Sequence, residues 1–267
     1  MSQSDRMKPQ LIIALDVDTL EQARELIDKL SPEVEIFKVG SQLFTACGPA
    51  AVRFIMARGK KVFLDLKYHD IPNTVANAVG AAVSLGVPVG TVPKGGLSPS
   101  TSVPPGLFMY TMHTLGGLEM LKSAVAVGTK KAQEFGFEKP LALGITVLTS
   151  EAKKDDIAAI VLERALLAQA AGCDGVVAAV EEVEILRQKL GKDFIIVTPG
   201  IRPAGEKQDD QKRISTPAEA VKRGSNFLVV GRPVLEAANP LAAAQKILEE
   251  IAGMKDSVSR TKQEKIL

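Results

Sequence analysis

Short apolar runs rich in β-favouring residues recur along the chain, and a helical pattern follows each of them. The first run is Leu11–Leu15, and the helix after it is expected to begin at the N-cap Thr19 and to reach Leu30. Runs that are apolar throughout are typical of parallel strands covered by helices. The predicted strands are Leu11–Leu15, Val34–Val39, 62–65, Phe108–Met112, Leu141–Val147, Gly175–Ala179, Phe194–Val197 and Phe227–Val230.

Eight strand-and-helix units in a chain of 267 residues predict the α/β class and a single-domain (β/α)8 TIM barrel. The alternative is an open doubly wound sheet, but no G-x-G-x-x-G motif follows the first run. The other helices are expected over about 42–58, 73–86, 117–135 and 240–253, with one more between Ser150 and about residue 171 and a short one after Ala179.

One segment does not fit this alternation. Residues 87–107 contain five prolines and four glycines and show no periodicity. Because this Pro/Gly-rich insert joins the third helix to the fourth strand, we expect a long surface loop on the amino-terminal face. The barrel domain is predicted to span 11–253, between an N-terminal extension (1–10) and a charged C-terminal tail (254–267).

Charge and cysteine content limit the class of partner. The net charge is +2, which gives no field that would attract nucleic acid or an anionic membrane. No apolar run approaches the roughly 18 residues of a membrane span, and residues 1–10 lack the apolar segment of a signal peptide. Cys47 and Cys173 lie in or beside apolar segments and are expected to be buried free thiols. These features predict a cytoplasmic protein.

The third predicted strand ends in three charged residues, Asp65, Lys67 and Asp70. Asp65 and Lys67 are two residues apart, so in an extended chain their side chains lie on the same face. If the group is partly buried, the two carboxylates keep Lys67 protonated and the lysine keeps them ionised. That arrangement is a preformed acid beside fixed negative charge. The alternative is a surface strand end with three solvated charges.

Polar residues also close the other predicted strands. In a (β/α)8 barrel, the carboxyl ends of the strands form the rim on which active sites are built. The residues expected at this rim are Asp16, Lys38, Asp65, Lys67, His113, Thr149, Arg202 and Arg232.

Two of these strand ends predict a phosphate site. Thr198–Pro203 closes strand seven and Val229–Pro233 closes strand eight, and these two loops usually bind phosphate in such barrels. The Gly231 amide can approach an anion closely, and Arg202 can bind it with two donors. The alternative is a surface arginine beside a glycine turn. Gln211, in the polar stretch 205–213, could contact a ligand as part of a lid, although its spacing alone does not favour this.

A metal site is not expected. The chain has two histidines, His69 and His113, for which we expect structural roles, because no convincing cluster of histidines and carboxylates forms with them. Asp16, Asp65 and Asp70 could hold Mg²⁺, but Lys67 already supplies the compensating cation. The residues therefore predict no metal.

Taken together, these motifs resemble the orotidine 5′-phosphate decarboxylase family. The resemblance covers about residues 11–245 in the expected order. Two departures are the long insert at 87–107 and a short segment after Ser150. The matching motifs are Ala14–Asp16, Phe37–Gly40, Asp65–Thr74, Met112–Gly117, Thr146–Ser150, Thr198–Pro203, Asp210–Arg213 and Val230–Arg232.

The resemblance implies a substrate, orotidine 5′-phosphate, a product, UMP, a homodimer and a reaction without any cofactor. It implies that Lys67 donates a proton to C6 of the pyrimidine, that Asp65 lies beside the substrate carboxylate, and that Asp70 enters the other subunit's site with Ile71 and Thr74. The remaining residues would bind substrate: Asp16 and Lys38 at the ribose and the charge array, Thr149 and Ser150 at the pyrimidine, and Arg202, Gln211, Gly231 and Arg232 at the phosphate, with Pro199 also at the binding site.

Two alternatives stay open. Sister enzymes that act on sugar phosphates, resembling 3-keto-L-gulonate 6-phosphate decarboxylase or hexulose-phosphate synthase, share the D-x-K-x-x-D block but use Mg²⁺. The T-P-G-I-R-P loop together with Gln211 favours the nucleotide. A non-catalytic nucleotide-binding protein on the same scaffold is the other alternative, and the presence of Asp65, Lys67 and Asp70 argues against it.

Overall fold

The computed structural model describes residues 9–87, 106–148, 156–203 and 215–264. Their strands form a closed parallel barrel in which each strand pairs with the next and β8 pairs with β1. The predicted (β/α)8 architecture is therefore confirmed. The strands are β1 Gln10–Ala14, β2 Ile36–Gly40, β3 Lys61–Tyr68, β4 Met109–His113, β5 Leu141–Ile145, β6 Gly175–Val177, β7 Ile195–Thr198 and β8 Phe227–Val230.

Alternate residues of each strand enter two separate cores. On β1, Ile12 packs inside the barrel with Phe63 and Phe227, while Leu11 and Ile13 pack outward under the helices. Both faces are apolar because helices cover the outside, which explains why the strand sequences are apolar throughout. The barrel interior is thus a packed core, and the polar side chains are left at its ends.

Ten helices surround this barrel within the described part of the chain. The first begins at Thr19 as predicted, with a capping box: the Thr19 hydroxyl accepts from the Gln22 amide, and the Gln22 side chain accepts from the Thr19 amide. The helices are α1 Leu20–Leu30, α2 Ser41–Cys47, α3 Pro49–Ala57, α4 Pro72–Val83, α5 Gly117–Phe135, α6 Ile157–Ala170, α7 Val180–Leu190, α8 Pro217–Arg223, α9 Arg232–Leu235 and α10 Pro240–Glu264.

The helix predicted over 42–58 is two helices, so that prediction was wrong in detail. Gly48 separates them with a φ of 57°, and Pro49 occupies the first turn of α3. A glycine in the left-handed region ends a helix, and proline fits the first turn of the next one. The last helix runs to Glu264, past residue 253 where that helix was predicted to end. Residues 254–264 contain no glycine or proline to stop it. The short helices α8 and α9 were not among the predicted elements.

Arg187 on α7 closes the amino-terminal floor of the barrel. Its Nε donates to the carbonyl of Gly224 at 2.8 Å, and its Nη1 donates to the carbonyls of Gly191 and Phe194. Its Nη2 donates to the Asn226 side chain, whose oxygen also accepts from the Ile196 amide. One guanidinium thereby ties the end of α7 to the starts of β7 and β8.

Most of the 87–107 insert lies outside the described residues. Both cysteines are free thiols as expected, Cys173 buried and Cys47 partly buried. Burial raises the pKa of Cys173 to about 12.

Among the residues that the structure describes, no helix is both long and apolar enough to cross a membrane.

Candidate active site

A cavity of about 530 Å³ opens at the carboxyl ends of the strands. Its wall is charged on the side of β1, β2 and β3 and apolar on the side of β5 and β6. At the ends of β7 and β8 it carries two arginines. The predicted site residues among its lining are Asp16, Lys38, Asp65, Lys67, Pro199, Arg202, Gly231 and Arg232.

Two lysines and two carboxylates alternate along one side of this cavity. Lys67 Nζ lies 2.8 Å from Asp65 Oδ2, and Lys38 Nζ lies 3.8 Å from the same oxygen. Lys38 Nζ also donates to Asp16 Oδ1 at 3.1 Å. Lys38 and Asp65 are each only 9% exposed, so their mutual attraction is screened little by solvent. Each charge is therefore compensated by a neighbour of opposite sign.

Gly40 leaves room for this array. A Cβ at this position would lie 2.8 Å from Lys38 Nζ and 3.4 Å from Asp16 Oδ1. Any larger residue would therefore push the lysine away from its partners. The glycine of the F-K-V-G motif is explained by this close approach.

A bulge in β3 directs Lys67 into the cavity. Leu64 pairs with Tyr110 of β4, and the next pair is Tyr68 with Met112, so three residues of β3 lie opposite one residue of β4. Within the described residues, Lys67 is the one non-glycine residue with a positive φ, at 51°. That conformation costs on the order of 1–3 kcal/mol, so the surrounding contacts must maintain it.

Thr111 is the β4 residue opposite the bulge, and it contacts both members of the central ion pair. Its hydroxyl donates to Asp65 Oδ1 and accepts from the Lys67 amide, both at 2.9 Å. The side chain is fully buried. The sequence motifs do not single out Thr111. The available signal was a single small polar residue in the otherwise apolar and aromatic run Phe108–Met112.

Asp70 does not join this array within one chain. It is exposed, it is not part of the cavity lining that the structure describes, and its Oδ1 accepts from the Ile71 amide at 2.6 Å. It lies just beyond β3, where its side chain bonds the backbone that leads into α4. Ile71 is 66% exposed and Thr74 is also exposed. Of the three charges predicted to act together, the fold brings Asp65 and Lys67 into contact and leaves Asp70 on the surface nearby.

The loops after β7 and β8 form the other end of the cavity. Arg202 is 7% exposed, and its amide donates to the carbonyl of Ser215 at 3.0 Å. Gly200, with a φ of 77°, allows the chain to turn at this point. Arg202, Gly231 and Arg232 all line the cavity, at the two strand ends for which the sequence predicts a phosphate site. Thr149, Ser150 and Gln211 lie outside the described residues.

The two histidines lie together, away from the cavity lining. The rings of His69 and His113 stack with their centroids 5.4 Å apart, and His113 Nδ1 accepts from the Leu115 amide at 3.3 Å. These contacts favour the structural role expected for both. Within the described part of the chain, no three residues among His, Cys, Asp and Glu are grouped so that they could hold a metal ion. That no metal is needed stays a prediction.

Several residues that the motifs did not indicate also line the cavity. Gln42 lines the cavity and donates to Asp18 Oδ1 at 2.7 Å, and Glu236 also belongs to the lining. Val147, Leu148 and Val177 add to the apolar wall. The cavity thus joins an ionic side, an apolar side and a cationic end, which suits a flat heterocycle attached to an anionic group.

A family model described as "Orotidine 5′-phosphate decarboxylase / HUMPS family" matches residues 9–93 and 102–247. The chain belongs to this family. The match confirms the resemblance carried by the motifs, and the relatives named below confirm the predicted class of carboxy-lyase.

Individual relatives match this chain over almost its whole length. Orotidine 5′-phosphate decarboxylase from Geotalea uraniireducens is 44% identical over 255 residues, which cover 92% of this chain and 97% of the relative. The Moorella thermoacetica protein of the same name is 43% identical over 257 residues, covering 93% and 94%. The crystal structure of orotidine 5′-phosphate decarboxylase from Lactobacillus acidophilus matches with a TM-score of 0.71 and 35% identity, covering 91% of this chain and 98% of that one.

Proposed function

We propose that this protein decarboxylates orotidine 5′-phosphate to UMP and CO₂, the last step of UMP synthesis, without a metal or organic cofactor. The observation that carries the proposal is the Lys67–Asp65 contact of 2.8 Å on the wall of a cavity that has Arg202 and Arg232 at its other end. Membership of the family supports the same reaction.

Lys67 acts as the proton donor in this mechanism. The bond between C6 and the carboxylate breaks, CO₂ leaves, and the electron pair stays on C6. The ammonium of Lys67 stabilises that negative charge and then transfers a proton to C6, after which the lysine regains a proton from water. Asp65 holds the ammonium in place before the reaction, and Lys38 contacts the same carboxylate oxygen, so little reorganisation is needed.

The rest of the cavity binds the nucleotide. Arg202, Arg232 and the Gly231 amide hold the phosphate beside Pro199, and Asp16 with Lys38 contacts the ribose. Binding energy from this remote phosphate is available to orient the pyrimidine against Lys67. Thr149 and Ser150 at the pyrimidine, and Gln211 at the phosphate, complete the proposed set.

The working form is proposed to be a homodimer in which Asp70, Ile71 and Thr74 enter the partner's site. Asp70 lies close in sequence to Lys67 yet outside its own cavity, as far as the described residues define it. Two large apolar side chains on this part of the surface, Ile71 and Leu115, are 66% and 58% exposed. A self-complementary interface would cover them and bring a second carboxylate to Lys67.

Mixing two inactive variants tests the shared site. Lys67→Ala and Asp70→Ala homodimers are each expected to be inactive, while a heterodimer contains one intact site. An equal mixture after subunit exchange should regain about a quarter of wild-type activity, since half of the dimers are mixed and each has one intact site of two. No recovery, despite exchange demonstrated by mass spectrometry, would mean that each site is built from one chain.

The reaction itself is tested by the fall in ultraviolet absorbance of orotidine 5′-phosphate with purified protein, with and without EDTA. Turnover that EDTA does not change supports the proposal. Activity lost with EDTA and restored by Mg²⁺ would indicate the chemistry of the sugar-phosphate enzymes. UMP binding without any turnover would indicate a nucleotide-binding protein instead.

A further inference from the structure

We propose that Thr111 is a positioning residue for this reaction, which sets both the carboxylate of Asp65 and the backbone of Lys67. The proposal rests on the proposed function, because it assigns a role in the same site. Thr111 acts through its hydroxyl, which bonds to both members of the central ion pair.

The bulge creates the need for this hydroxyl. In a regular parallel ladder, a backbone carbonyl of β4 would accept from an amide of β3. Pairing is interrupted between Leu64 and Tyr68, and there the Lys67 amide donates to the Thr111 side chain. The hydroxyl therefore supports the one left-handed non-glycine residue that the structure describes. Losing it would remove the partner of that amide and favour a relaxed backbone at Lys67.

The same hydroxyl fixes the orientation of Asp65. A threonine hydroxyl has one proton, and Thr111 donates it to Asp65 Oδ1. The other carboxylate oxygen, Oδ2, therefore faces both lysines. If the carboxylate could rotate, the distances from Oδ2 to Lys67 and Lys38 would change together. Thr111 is fully buried, so water cannot easily replace its hydroxyl.

Thr114 provides a matched control on the same part of the fold. Its side chain is also buried, and its hydroxyl donates to the carbonyl of Ile145 at 2.7 Å. In the part of the chain that the structure describes, this hydroxyl takes no part in the hydrogen bonds of Asp65 and Lys67. Replacing either threonine with valine removes one buried hydroxyl without changing the shape, so the two variants differ in what the hydroxyl bonds.

The test compares Thr111→Val, Thr111→Ser and Thr114→Val with the wild type on orotidine 5′-phosphate. Misplacement of the donor by about an ångström predicts a fall in kcat of about 10²-fold for Thr111→Val, with KM within about threefold. Thr111→Ser keeps the hydroxyl and should stay within about fivefold of wild-type kcat, and Thr114→Val should retain kcat even if its Tm falls. Thr111→Cys replaces the valine variant if that one does not fold.

A crystal structure of the Thr111→Val protein gives a readout that does not depend on the substrate. The proposal predicts that Lys67 loses its positive φ, or that its Nζ moves out of contact with Asp65. Wild-type kcat in Thr111→Val with an unchanged Lys67, or equal losses in the Val and Ser variants, would overturn it. If the wild type does not decarboxylate orotidine 5′-phosphate, the proposed function fails, and the structure of the variant alone decides whether Thr111 positions Lys67.

Discussion

Buried or half-buried cations lie at both ends of the barrel, and the two ends differ in the kind of partner that each cation contacts. At the amino-terminal floor, Arg187 donates to neutral acceptors that are part of the fold, including the carbonyls of Gly224 and Phe194. At the carboxyl rim, Lys67 and Lys38 contact carboxylates on the wall of an open cavity. Burial lowers the pKa of Arg187 to about 10, yet the group stays charged at neutral pH.

The kind of partner distinguishes a cation that stabilises the fold from cations that are available for chemistry. The N–H groups of Arg187 donate to acceptors whose positions are fixed by the fold, so this residue holds the starts of β7 and β8 together. The rim array consists of side chains with cavity space beside them, so the proposed proton transfer from Lys67 would leave the barrel intact. A fold of this kind can therefore change its rim with little effect on the floor.

Among the variants that keep Lys67, the largest effect is expected from Asp65→Asn at the rim. The change removes the charge that holds Lys67 and Lys38, so kcat should fall about 10²–10³-fold. The free energy of unfolding should fall by no more than about 2 kcal/mol, because Lys38 keeps Asp16 as a partner and the Lys67 side chain is 38% exposed and can be hydrated. Steady-state turnover and urea unfolding measure the two quantities. Asp28→Asn is the control, because Arg58 lowers the pKa of Asp28 in a surface pair that does not reach the cavity. Equal kcat for both variants would remove the distinction between rim and surface.

Arg187→Met should have the reverse effect. Carbonyl groups at the floor would lose their donor, so the free energy of unfolding should fall by about 3 kcal/mol while kcat of the folded protein is unchanged. Arg223→Met breaks a surface pair with Glu219 of 2.8 Å and should cost less than about 1 kcal/mol. Urea unfolding checks both. A loss of kcat in folded Arg187→Met would show that the floor and the rim are coupled.

The two tyrosines of the chain allow a further comparison between rim and interior, and the expected effect on stability is smaller. Burial raises the pKa of Tyr68, at the end of β3, to about 12, and it raises the pKa of the fully enclosed Tyr110 further. In the unfolded chain both tyrosines have a pKa near 10. Their contribution to the free energy of unfolding is therefore intact below about pH 10 and is lost as the pH rises above that value. The expected loss is about 1.4 kcal/mol per pH unit for each tyrosine.

An alkaline titration of tyrosinate absorbance measures this, since the sequence contains two tyrosines and no tryptophan. The folded protein should show little tyrosinate at pH values where the urea-unfolded chain has already ionised. Tyr68→Phe should remove the earlier of the two native transitions. Ionisation of both groups near pH 10 in the folded protein would contradict the burial of Tyr110.

The barrel could be predicted from sequence because its signal is local. Each strand is a short apolar run, and the runs predicted at Leu11–Leu15 and Phe227–Val230 overlap or equal the observed β1 and β8. The missed break at Gly48 has a different origin. The apolar pattern continues through it, and the φ of 57° that ends α2 is a backbone property that periodicity does not report.

The candidate site was predictable where residues lie close in sequence or at strand ends. Lys38, Asp65 and Lys67 meet as expected because adjacent parallel strands bring their ends to one rim. Thr111 could not be identified in this way, because its role depends on the bulge in β3, and a bulge is a feature of strand pairing. The surface position of Asp70 likewise depends on how the chain turns after the strand.

The most direct test of the account is Lys67→Ala, with UMP binding by calorimetry and turnover of orotidine 5′-phosphate measured on one preparation. Lys60→Ala, at a lysine that bonds Glu35 and the carbonyl of Ser31, is the control. The account predicts UMP affinity within about tenfold of wild type, because the phosphate contacts remain, and a fall in kcat of at least about 10⁴-fold. Turnover within about tenfold of wild type would mean that Lys67 is not the proton donor.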